Sequence, residues 1–141
     1  MGIRASMRWL SLIFFAAVLA PLGASACPGP DLAITSLYVS SVSHTRYLTL
    51  YRVVGAVRNA GQAMQPGNTL QFVDVNQYGN RLDDRGIPPL KPGESYSVSY
   101  VWPRAVDAGL RTTPLEFRLR GVSPSGTQVC MPANGVRAIV F

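Results

Sequence analysis

Ser95-Tyr96-Ser97-Val98-Ser99-Tyr100-Val101-Trp102 decides the fold class. Tyr96, Val98, Tyr100 and Trp102 fall on one side of an extended chain, and Ser95, Ser97 and Ser99 on the other; only Val101 departs. Successive side chains of a strand point to opposite faces, so this pattern describes an antiparallel strand with one face buried. Pro92-Gly93 sets a tight turn just before it.

Working outward, the same period recurs. Downstream, Leu115, Phe117 and Leu119 alternate with Glu116, Arg118 and Arg120, and Val136, Ala138 and Val140 alternate with Arg137 and Ile139. Upstream, Asp31 to Ser40 carries Leu32, Ile34, Tyr38 and Val39, and Arg46 to Asn59 is rich in β-branched and aromatic residues. Thr69 to Tyr78 is a further strand whose alternation slips between Phe72 and Val73, a sign of a bulge or an edge. Gly79 to Gly93 reads as polar and turn-rich, with a short apolar patch at Ile87 to Leu90. No helical period of useful length occurs. About seven short strands and no helix predict an all-β, immunoglobulin-like antiparallel β-sandwich.

The first 26 residues have a different character. Met1 to Arg8 is basic, Trp9 to Ala20 is apolar, and Ala24-Ser25-Ala26 is a small-x-small cleavage site. This is the order of a secretory signal peptide. The apolar run is too short for the roughly 20 residues of a spanning helix. Residues 1–26 are therefore expected to leave, and residues 27–141 to form one domain with no membrane span. The net charge of +6 comes from thirteen basic against seven acidic residues. Losing Arg4 and Arg8 leaves eleven against seven, or +4. That mild excess suits an acidic partner such as an envelope polymer. No basic run or basic helix points to nucleic acid.

Cys27 and Cys130 are the two cysteines. An even count in an exported chain favours a disulfide. Cys27 also directly follows the cleavage site, where a bacterial lipoprotein carries its lipid, although Gly23-Ala24-Ser25-Ala26 fits that motif less well than ordinary cleavage. The expected location is periplasmic or secreted, with a lipoprotein anchored through Cys27 as the alternative.

Three short stretches occur in a telling order: Pro30-Asp31-Leu32, then Val57-Arg58-Asn59-Ala60-Gly61, then Leu90-Lys91-Pro92-Gly93-Glu94-Ser95. Together they resemble the bacterial cell-adhesion-related domain called CARDB, an immunoglobulin- or fibronectin-like sandwich. The resemblance spans nearly all of residues 27–141. It implies a non-enzymatic binding or adhesion module whose partner is a protein or an envelope glycan. Asn59 and Gly61 suit a strand end that needs positive φ. The family's acidic stretch near the C-terminal end is missing from Gly126 to Gly135, so no calcium role carries over. In such a topology Cys130 precedes the last strand at the end of the sandwich where the N-terminus lies, within reach of Cys27.

The chemistry of catalysis is sparse. His44 is the only histidine and has no cysteine or acid cluster at metal-ligand spacing, so no metal or cofactor is expected. Asp83 and Asp84 lie beside Arg81 and Arg85, but neighbours on an extended chain point in opposite directions and make a poor acid–base pair. No nucleophile elbow or phosphate loop occurs. A hydrolase or inhibitor reading would rest on His44 or Asp84 alone. Arg118, Arg120 and Arg137, expected outward on neighbouring strands, form either a solvated face or a shallow anion-binding face. The remaining alternative is a structural accessory or chaperone-like protein offering the edge of the Thr69–Tyr78 strand to a partner strand.

Overall fold

The computed structural model describes residues 28–68, 70–109, 111–122 and 135–141. Signal residues 1–26 and both cysteines lie outside these residues. Seven strands follow one another: β1 (Leu32–His44), β2 (Leu48–Asn59), β3 (Leu70–Gln77), β4 (Asn80–Ile87), β5 (Ser95–Ala105), β6 (Pro114–Val122) and β7 (Val136–Val140). They form two antiparallel sheets, one in the order β1-β2-β5 and the other in the order β4-β3-β6-β7. A constant-type immunoglobulin domain pairs its fourth strand with the sheet of its first. Here β4 pairs with β3 instead, which gives three strands stacked on four.

The inner faces close over one core. Leu32, Ile34, Val53, Val57, Val98 and Trp102 come from the first sheet, and Val73, Val75, Ile87, Leu115 and Phe117 from the second. Trp102, Tyr51 and Phe141 stack as an aromatic trio with ring centroids 4.6–5.7 Å apart. The face of β5 read from its alternation is inward, although Tyr96 at the strand's start is 40% exposed.

The long β1 breaks its alternation for a visible reason. Its register against β2 shifts between Ile34 and Ser36 and again between Val39 and Ser41. The extra residues are Thr35 and Ser40, and each hydroxyl donates to the β2 carbonyl beside it, Thr35 to Ala56 and Ser40 to Arg52, both at 3.2 Å. A bulge leaves ladder groups unpaired, and a short hydroxyl side chain supplies the missing partner. Leu37 and Val39 thereby return to the core side, while Tyr38 faces solvent.

Three expectations require correction. The segment Asn80–Ile87 is a strand, not a polar turn. It holds to β3 through backbone pairing, with Arg81 reaching Asp74 of β3 and Asp84 accepting from Arg120 of β6, and with its bulge at Leu82, so it needs no apolar stripe. The β3 strand is consequently not an edge: β4 covers one side and β6 the other, which removes the strand-offering role read from it. In β7 the two faces are exchanged. Arg137 sits opposite the buried Phe117 and Ile139 opposite the buried Leu115, so these face the sandwich while Val136, Ala138 and Val140 are exposed. The Arg137 guanidinium turns sideways, and its Nε donates to the carbonyl of Ile34 at 2.6 Å, tying β7 to β1.

Candidate functional site

The three stretches that carry the CARDB resemblance meet at one buried side chain. Asn59 ends β2 and is fully buried. Its Oδ1 accepts from the backbone N–H of Asp31 at 3.1 Å and of Gly61 at 3.0 Å. Its Nδ2 donates to the carbonyls of Ala63 at 2.8 Å and Leu90 at 2.9 Å. Its backbone completes the knot, receiving from Gly93 N–H and donating to the Glu94 carbonyl. An amide side chain offers two acceptor sites and two donors, and here all four are used.

Neither Asn59 nor Gly61 has the positive φ expected of it. Gly61 is required for another reason: a Cβ there would lie 2.1 Å from the Gly29 carbonyl oxygen. Gly93 does adopt φ +80°, and Glu94 N–H closes the turn on the Lys91 carbonyl at 3.0 Å. Pro92-Gly93 is therefore a type II turn. These motif residues build the sandwich and are not free to bind a ligand.

The expected anion-binding arginines are separated. Arg118 and Arg120 lie on the outer face of β6, while Arg137 lies on the opposite side of its sheet. Arg120 Nε donates to both oxygens of Asp74, at 2.8 and 3.1 Å, and its Nη2 donates to Asp84 at 3.1 Å. The Asp74 hydrogen bond, reinforced by the charges of Asp74 and Asp84, holds the Arg120 guanidinium above its ordinary value. Its plane covers the Phe72 ring at 4.5 Å, a cation–π contact. Arg118 is paired with Glu116 at 2.9 Å, and Arg81 sits 3.8 Å from Asp84. Arg81, Arg118 and Arg120 thus face Asp74, Asp84 and Glu116, an internally neutral network. Asp83 and Asp84 do diverge: Asp84 joins this outer network, and Asp83 pairs with Arg85 at 2.7 Å.

A second feature lies where the two sheets gape. An open hollow of about 470 Å³ runs along the outer side of β5, lined by Tyr96 to Val101 and bordered by Arg52, Arg85 and Gly86. Tyr100 reaches into it, and burial pushes its phenol above the ordinary value, the charge of Asp83 adding to this and that of Arg85 opposing it. A phenol whose pKa is raised by folding adds stability that is full below the unfolded value of about 10 and is lost as pH rises through the folded value. Phenolate absorbance should therefore show one tyrosine titrating late. Tyr100→Phe should abolish that late phase, and Asp83→Asn should move it to lower pH; a late phase surviving Tyr100→Phe would assign it elsewhere.

Comparison with known proteins adds one result. The fold is shared with a domain of a cell surface protein. That solution structure, residues 272–376 of a protein described as a cell surface protein from Methanosarcina acetivorans, superposes with a TM-score of 0.52 at 17% identity. The match covers 79% of this chain and 90% of that one. No family model matches the chain, and no curated protein matches it. The likeness concerns the sandwich alone.

Among the described residues, no group of three or more His, Cys, Asp or Glu side chains is placed to hold a metal, and no helix is long and apolar enough to cross a membrane. His44 lies at the exposed end of β1, its Nδ1 3.2 Å from the Thr49 hydroxyl. The hollow beside β5 was not foreseen from the sequence. The signal for it was present in the uncharged run Ser95–Pro103, but whether such a strand is interior or marginal depends on sheet order.

Proposed function

We propose that this chain is an exported, non-enzymatic binding module of the bacterial envelope or extracellular space, related to CARDB domains. The observation that carries this reading is the convergence on Asn59. Pro30-Asp31-Leu32, Asn59-Ala60-Gly61 and Leu90 to Glu94 are remote in sequence, yet they form one buried unit. A resemblance resting on three short matches is strengthened when the matched residues act together. The shared fold of a domain described as belonging to a cell surface protein supports the same reading. Fold alone does not specify a ligand. The partner proposed here is a protein or an envelope glycan.

Export supplies the oxidising setting in which Cys27 and Cys130 pair, with lipid attachment at Cys27 as the competing fate. The Arg137–Ile34 bond supports pairing, because it sets the starts of β1 and β7 side by side. Cys27 lies five residues before β1, and Cys130 six before β7. One experiment tests the whole reading: fractionate a bacterial host expressing the full chain, determine the mass of the product without reduction, and screen it against isolated envelope polymers and envelope proteins. The expected product is cleaved after Ala26, carries no free thiol and binds a component of the envelope. An uncleaved cytosolic product, or a processed one that retains no envelope component, overturns it.

A further inference from the structure

Each sheet of an open sandwich has two margins, and each exposes unpaired N–H and C=O groups that another strand can take up. Three of the four margins are defended. β1 carries two bulges, and its Ile34 carbonyl is occupied by Arg137. β4 is short, bulged at Leu82 and charged at Arg81, Asp83, Asp84 and Arg85. β7 has only five residues. The fourth, β5, has no bulge and carries its only blunting residues, Pro103 and Arg104, at its C-terminal end. It runs eleven residues in unbroken register with β2. Ser95 to Pro103 contains no charged residue and no glycine, and its tyrosines, valines and tryptophan favour extended structure. Among the described residues no strand pairs with its outer side. Pro103 has no N–H to give β2, which suits a residue whose backbone groups turn outward. Ser95, Ser97, Ser99 and Val101 share that phase.

We propose that β5 pairs antiparallel with β5 of a second copy of this chain, joining two three-stranded sheets into one of six strands. A two-fold axis through Ser99 makes the contact self-complementary and closed, as dimer interfaces require. In that register Ser99 meets Ser99, Tyr100 meets Val98 and Tyr96 meets Trp102, aromatic pairs of the kind that stabilise adjacent strands. Glu94 of each copy then lies opposite Arg104 of the other, so each end of the ladder carries one pair of opposite charges. The uncharged stretch between them brings no like charges together. The neighbouring β4 margins, which approach each other below, carry two arginines and two aspartates each. The hollow beside β5 is the space this second strand enters.

The proposal is independent of export and of any envelope ligand. Ser99 is exposed on the outer face, so its replacement leaves the core intact. Sedimentation equilibrium of the processed chain is expected to show a concentration-dependent dimer. Ser99→Lys and Ser99→Glu should each raise the dimer dissociation constant roughly fivefold or more, through like charges placed directly opposite. An equimolar mixture of the two variants should recover the dimer, because Lys then faces Glu. Unchanged thermal melting at concentrations where all three chains are monomeric would show that both variants fold. A chain that stays monomeric at millimolar concentration overturns the proposal, as does a dimer indifferent to both variants. A monomer whose β5 edge instead binds an extended peptide also overturns it, and assigns the edge to a different protein.

Discussion

Replacing Asn59 with alanine is expected to lower the unfolding free energy by about 4 kcal/mol. The substitution removes four hydrogen bonds at once and leaves the N–H groups of Asp31 and Gly61 and the carbonyl of Ala63 without that partner, while the Leu90 carbonyl keeps only the longer bond from Gln65 N–H at 3.3 Å. A buried polar group without a partner costs roughly 1–3 kcal/mol, and water entry or loop relaxation returns part of the total. Small domains have only about 5–15 kcal/mol to lose. Asn59→Asp sharpens the test. It keeps both acceptor bonds but sets a carboxylate oxygen against two carbonyl oxygens, so it should be no milder. Urea unfolding reads both, as a lower midpoint at constant slope. A loss below about 1 kcal/mol for the alanine variant would falsify the idea that Asn59 fastens the three segments.

Phe117→Ala is expected to cost about 4 kcal/mol, within the span usual for a buried phenylalanine. Phe117 is wholly buried at the centre of β6, opposite Val75, and its ring lies over Gly55 of the facing sheet. A Cβ at position 55 would come within 2.9 Å of the Phe117 Cδ2. Gly55 is therefore the socket and Phe117 the plug. Gly55→Ala alone should cost roughly 1–3 kcal/mol by overpacking. Combined with Phe117→Ala it should cost much less than the two losses added, since the space it demands has been vacated. A double-mutant cycle measures that coupling; strict additivity would show that the ring and the glycine do not share the space.

Side-chain periodicity made most of the sandwich legible. The alternation of β5 and β6 identified their buried faces, because each strand pairs regularly and shows one face to the core. Periodicity failed where another force orders the chain. Asn80–Ile87 reads as a turn because a marginal strand can be held by its backbone and by Asp74–Arg81 and Asp84–Arg120 pairs without an apolar stripe. The exchange of faces in β7 has a similar origin. A five-residue strand of mixed character does not fix its own phase, and the register with β6 does. The slip in β3 likewise reflects an apolar residue on the outer face, where the Arg120 guanidinium covers the Phe72 ring while Val73 and Val75 turn to the core, not a marginal position. Asn59 and Gly61 were recognisable as a pair from the sequence. Their reason was hidden, because it lies in contacts with residues some thirty positions away. The cleft along β5 depends on which strands lack neighbours, and local pattern does not encode that.

The Arg137 guanidinium, bonded to the Ile34 carbonyl, ties the first strand to the last, and the places where these two strands begin and end fix how the sandwich meets mechanical load. The strand β1 begins at the Asn59 end, whereas β7 runs to Phe141 at the far end. Tension applied between those two points runs parallel to the strands and across the hydrogen bonds of the β1–β2 ladder. All of these bonds then bear the force together, in shear, and do not open one after another like a zip. A tethered protein pulled from opposite ends would resist rupture best along this axis.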